Sequence, residues 1–190
     1  MLSHGEIRSG YFKLVGDLVL MQRMQFGMLG MYNSKVGYSP FDKFVVGGGG
    51  MPNTYSYLPQ DIVALRGYLD QSVTPYVDSK GNLLTSSSAS SVGKVDGNIY
   101  DKFSMELRYP ISLKEQAIIY VLAFTDAGNA WSDFKYVNPF DVKRSAGVGL
   151  RAILPFLGSL GFDWGYGFDP IPWNSGANKS QFHFTFGQQF

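Results

Sequence analysis

Apolar and polar residues alternate along much of this chain with the period of two that belongs to β-strands, and no segment sustains a helical period. In "KFSMELRYP", Phe103, Met105, Leu107 and Tyr109 share one face while Lys102, Ser104, Glu106 and Arg108 share the other. "VKRSAGVGLRAIL" sets Ala146, Val148, Leu150, Ala152 and Leu154 against Lys143, Ser145, Gly147, Gly149 and Arg151. "LGFDWGYGFD" opposes Leu160, Phe162, Trp164, Tyr166 and Phe168 to Gly161, Asp163, Gly165, Gly167 and Asp169. The chain ends on "QFHFTFGQQF", which puts Phe182, Phe184, Phe186 and Phe190 on one face and His183 on the other. Segment 117–126, "AIIYVLAFTD", is apolar on both faces until Asp126, so the pattern leaves its orientation open.

Near the start, residues 18–33 read as a long strand, preceded by a short strand remnant at 11–14. This makes about six good strands, each close to the roughly 9–11 residues that cross a bilayer when tilted. Short connections at 110–116 and 155–159 predict antiparallel hairpins. Residues 34–100 are the exception: they hold "VVGGGG" and the low-complexity "TSSSASS" and show little strand character. Segments this long are functional or disordered in compact domains. Long loops on one side of a sheet with short turns on the other are the asymmetry of an outer-membrane barrel.

Composition sharpens this picture. Aromatics at 16%, 23 glycines and charge at only 16% suit an all-β sandwich or a polar-lined barrel. Glycine and aspartate on one face of 160–169 make poor solvent-facing sheet but suit an enclosed, hydrated lumen, which favours the barrel over a soluble β-binding module. Six strands cannot close, since single-chain barrels use at least about eight and an open edge in lipid leaves backbone groups unpaired. The missing strands are therefore expected upstream of Met1 or in another chain. "MLSHGEIRSG" lacks the apolar core of a secretory leader.

A net charge of +1 gives no electrostatic case for nucleic acid. Without cysteine there is no disulfide, thiol catalysis or thiolate metal site, and His4 and His183 are the only imidazoles, so neither a zinc site nor a histidine-based triad is expected. "GGGG" at 47–50 lacks the G-K-[ST] of a phosphate loop. Asp163 and Asp169 are about 20 Å apart on one strand face, too far for paired-carboxylate chemistry. The reading is a non-enzyme with no cofactor and no metal, in which His183 lines the lumen.

Four ordered segments resemble one family. "SPFDKFVVGGGG" followed by Leu65-Arg66-Gly67-Tyr68 is similar to the Gly-Gly stretch and the V-R-G-F/Y motif in the sixth extracellular loop of the outer-membrane protein assembly factors typified by BamA. "AFTDAGNAW" resembles their F-x-D-x-G motif, "RSAGVGLRAILPFLGSLGFDWGYGF" their next hairpin, and "QFHFTFGQQF" their closing strand and aromatic-ended recognition signal. Departures from the pattern are Leu65 for valine, "GSLGFD" for G-P-L-R-F-D, and a serine-rich insertion.

The resemblance implies the C-terminal part of an antiparallel, 16-stranded transmembrane β-barrel in the bacterial outer membrane, with periplasmic repeats outside this chain. It implies that loop 34–100 folds into the lumen, where Arg66, Gly67 and Tyr68 lock against Glu106, Asp126 and Gly128. Phe182, Phe184, Phe186, Gly187 and Phe190 would form a weak seam that opens to template client strands. Partners would be unfolded outer-membrane proteins, the lipid bilayer and accessory assembly lipoproteins. Residue by residue, simpler readings compete: a solvated loop arginine at Arg66, a turn-forming aspartate at Asp126, an ordinary apolar terminus at Phe190 and a bulge at Gly187. At the level of function the rivals are a two-partner secretion transporter of the same superfamily and a passive porin, with an outer-membrane hydrolase more distant.

Overall fold

The computed structural model describes residues 2–30, 42–51, 61–86, 93–114, 116–155 and 158–187. Among these residues seven long strands form one fully antiparallel sheet. In their order across it they are β1 (Leu2–Lys13), β2 (Val19–Gly30), β8 (Ile99–Lys114), β9 (Ala117–Trp131), β10 (Lys143–Leu154), β11 (Gly158–Gly167) and β12 (Lys179–Phe186). Among the described residues, five short strands, β3 (Phe44–Val46), β4 (Asp61–Val63), β5 (Tyr76–Val77), β6 (Leu83–Leu84) and β7 (Lys94–Val95), lie in the long connection between β2 and β8. Among the described residues no helix is long and apolar enough to cross a membrane.

The structure adds a full seventh strand where the pattern predicts only a remnant at 11–14. β1 reads "LSHGEIRSGYFK", with glycine, serine and charge scattered through both parities, and its twelve-residue register with β2 (Leu2↔Gly30 to Lys13↔Val19) supplies what its own sequence does not. "PISLKEQ" is also less of a connection than expected. β8 runs on to Lys114, and the register slips between Pro110 and Ser112, because proline has no N–H to give the ladder and a bulge absorbs the defect.

The outer face is the apolar one. Phe162, Trp164, Phe182 and Phe184 point away from the loop and stay substantially exposed, with the Phe162 and Phe184 rings 4.9 Å apart. On the ambiguous segment 117–126 the structure turns Leu122, Phe124 and Asp126 inward and Val121 outward. Replacing Phe162 by lysine is therefore expected to cost about 2–4 kcal/mol of barrel stability if that face meets lipid. Urea unfolding of the full-length protein in bilayers checks this, and a loss near zero would overturn the lipid-facing assignment.

The long connection is less featureless than its composition suggests. β3 and β4 pair in parallel, and β6, β5 and β7 form a small antiparallel sheet. Phe44, Val46, Leu65, Tyr68 and Val73 from this loop join Leu29 and Tyr100 of the wall, and Trp173 from the β11–β12 connection, in one apolar core. Phe44 meets Tyr100 edge-on at 4.7 Å between ring centroids, and the Trp173 indole N–H donates to the Ser72 carbonyl at 2.9 Å. The loop thus packs against the inner face of the sheet. The Ser-rich stretch from 87 to 91 lies outside the described residues, as does 31–33.

Candidate functional site

The tripeptide Arg66-Gly67-Tyr68 follows β4 and is aimed inward by its pairing with the glycine stretch: Gly48 bridges Leu65 in antiparallel fashion, and the Leu65 N–H donates to the Gly48 carbonyl at 3.0 Å. Gly48 has φ of +76° and would place a Cβ inside the Asp70 carboxylate, so only glycine fits this turn.

Arg66 is buried to 1% exposure against β8 and β9. Its Nε donates to Asp126 Oδ2 at 2.8 Å and its Nη2 to Asp126 Oδ1 at 2.9 Å, the planar fork-to-fork geometry that arginine allows and lysine does not. Its Nη1 lies 2.8 Å from Glu106 Oε1, an ion-pair distance without hydrogen-bond alignment. The other Glu106 oxygen accepts from Arg108 Nε at 2.8 Å and pairs with Arg108 Nη2 at 2.7 Å. Below the guanidinium lies the Phe124 ring, 3.7 Å from Cζ to the ring centroid. Burial opposes the arginine's charge, but the carboxylates of Asp126 and Glu106 outweigh it, so the guanidinium is held above its ordinary pKa.

Gly67 sits where a side chain has no room. With φ at +85°, its Cβ would fall 2.9 Å from Ser145 Cβ and 3.0 Å from the backbone of Tyr166 and Gly167. Reciprocally, a Cβ on Gly165 would come within 2.7 Å of Gly67 N, and one on Gly167 within 2.5 Å of Gly67 O. The glycine face of β11 therefore serves as a seat for loop backbone, where the sequence suggested a hydrated surface. The Tyr68 hydroxyl donates to the Arg144 carbonyl at 2.8 Å and accepts from the Asp169 N–H at 3.3 Å. Burial pushes the phenol up to about 12, so the donor stays protonated.

Of the expected residues, the structure brings Arg66, Gly67, Tyr68, Glu106 and Asp126 together. A Cβ on Gly128 would meet Asp101 O at 2.6 Å and Lys102 Cα at 3.2 Å, so this glycine serves the close approach of β8 and β9. Phe182, Phe184 and Phe186 line the outer face of β12. Gly187, with φ of +75°, follows the end of β12 and donates to the Ser159 carbonyl at 2.8 Å, while Phe190 lies outside the described residues.

Two features escaped the sequence reading. Arg151 and Asp163, buried to 2% each, form a second bidentate pair on the inner face of β10 and β11, at 2.8 and 2.6 Å. Alternation had placed both inward, but only the ladder, with Arg151 opposite Gly161 and Gly149 opposite Asp163, makes them diagonal neighbours. The second is His183, whose Nε2 accepts from the Gly67 N–H at 3.1 Å. Among the described residues no group of three or more histidine, aspartate or glutamate side chains is placed to hold a metal ion.

A search of curated proteins returns no match to this chain. The family model of the Omp85 superfamily domain matches residues 3–190. That superfamily of outer-membrane barrels, bacterial and organellar, includes protein-insertion and two-partner secretion members and consists of non-enzymatic transporters and assembly factors. The partial antiparallel barrel, and a match that runs over nearly the whole chain, lead to one conclusion: this chain belongs to the Omp85 superfamily.

Proposed function

We propose that this chain is the C-terminal part of a BamA-type barrel, 16-stranded when whole, that inserts other β-barrel proteins into the bacterial outer membrane. The observation that carries the reading is the docked loop. Arg66, Gly67 and Tyr68 engage β8, β9, β10 and β12 from within and rest on β11, bracing the wall from inside. A barrel braced this way keeps its shape while its last strand separates from the first and offers a backbone edge to an incoming strand by β-augmentation. Phe182, Phe184, Phe186 and Gly187 form that weak side, and Phe190 belongs to the recognition signal. The apolar outer face meets the bilayer, and the free energy comes from the client's own burial, with no nucleotide or metal. Unfolded outer-membrane proteins are the clients, periplasmic repeats upstream receive them, and accessory lipoproteins assist.

A secretion transporter of the same superfamily would need to withdraw this loop from its pore, and fastening over so many strands opposes that. The test reconstitutes the full-length protein in liposomes with a urea-unfolded client barrel. Heat-modifiable, protease-protected client in the membrane is expected. An unfolded exoprotein accumulating inside the vesicles, with no client inserted, would replace this reading by the transporter.

A further inference from the structure

Two segments of the loop converge on one side chain of the last strand. The Gly67 N–H donates to His183 Nε2 at 3.1 Å, and the Gly49 backbone packs so closely on the same residue that a Cβ there would lie 3.1 Å from His183 Cβ. These segments are themselves joined, through the Gly48–Leu65 bridge. The tripeptide's other polar contacts go to β8, β9, β10 and the backbone just after β11. His183 thus marks the point where the docked loop touches the strand at the end of the sheet.

The chemistry of this contact is specific. A backbone N–H is an obligatory donor, so Nε2 must present its lone pair and the imidazole must carry its proton on Nδ1. A proton on Nε2 sets two donors against each other. The charged groups around the ring act in both directions. Asp163, opposite His183 in the β11–β12 ladder, has both oxygens engaged by Arg151, and Asp126 of β9 has both engaged by Arg66. From the loop itself come the Asp70 carboxylate, which favours a proton on the ring, and the Arg66 cation, which disfavours a second positive charge nearby.

We propose that His183 is a positioning residue that latches the docked loop to the last strand in its neutral form, and that protonation releases the latch. In the insertase reading, on which this consequence rests, the latch sets how readily β12 leaves the seam. Histidine is the side chain whose charge ordinarily changes between about pH 5 and 8, so the coupling would respond to periplasmic acidification.

The experiment is hydrogen–deuterium exchange by mass spectrometry on the full-length protein in lipid nanodiscs, at pH 8 and pH 5. Wild type is compared with His183→Gln, which keeps an acceptor but does not titrate, and with His183→Leu, which has neither property. Comparison at equal pH cancels the intrinsic exchange chemistry, and heat-modifiability verifies that each variant is folded. At pH 8, segments 63–70 and 179–186 of His183→Leu should exchange about tenfold faster than wild type, with His183→Gln close to wild type. At pH 5, wild type should move toward His183→Leu while His183→Gln stays protected. Equal exchange in all three proteins at both pH values, or the same pH response in wild type and His183→Gln, overturns the latch. Client insertion is a separate readout: the expected exchange pattern with insertion unaltered in His183→Leu keeps the latch and counts against the seam-based insertase.

Discussion

Replacing Asp126 by arginine is expected to undock the long loop and lower the steady-state levels of many other outer-membrane barrels. Asp126 holds both Nε and Nη2 of Arg66 in a site where each residue is 1% exposed. Removing one partner of such a buried pair costs on the order of 3–5 kcal/mol, because the other charge is left uncompensated. Reversal goes further, since Lys102 is also buried on this wall and Glu106 already serves Arg108. At 1.36 kcal/mol per decade, a loss of about 3 kcal/mol reduces the docked fraction relative to the undocked by roughly a hundredfold. Client levels are read by heat-modifiability on gels, and undocking by tryptic cleavage after Arg66 in the folded protein. A folded Asp126→Arg variant with a protected Arg66 and normal client levels would sink the loop-lock reading.

The second large effect comes from a glycine with no charge at all. Gly165→Leu is expected to lift the loop from its seat, because even a Cβ at 165 would lie 2.7 Å from Gly67 N, 3.0 Å from Gly67 Cα and 3.2 Å from the Phe124 ring. The obstacles are mostly backbone, which cannot rotate away, and overpacking of this kind costs about 1–3 kcal/mol or more. Cleavage after Arg66 should therefore rise as it does for Asp126→Arg, although no charged side chain has been changed. Phe162→Leu, on the outer face of the same strand, serves as the control and should leave cleavage unchanged. If Gly165→Leu protected Arg66 as well as wild type, the glycine face would not be a seat for the loop.

These two expectations draw on different kinds of information. Strand content followed from local alternation, as did the inward facing of Glu106, Arg151, Asp163 and His183, because side-chain direction in a strand is set by residue parity alone. The pairing of Arg66 with Asp126 entered through resemblance to a family, since the two stand sixty positions apart and share no local pattern. Sequence periodicity failed for β1, whose mixed polarity carries no face, and for 117–126, where Leu122 and Phe124 are apolar yet turn inward, Phe124 beneath the Arg66 guanidinium.

The sequence by itself determined an all-β chain with one apolar face per strand and an unusual glycine-and-charge face opposite. It did so because both properties are written in neighbouring residues. Only the tertiary structure decided what that second face is for: a seat at Gly165 and Gly167, a bidentate pair across β10 and β11, and a histidine bound to a loop backbone 116 positions away. Each of these depends on which strand lies beside which and on where a long loop returns. Ladder register and loop closure set those distances, and no short stretch of sequence encodes them.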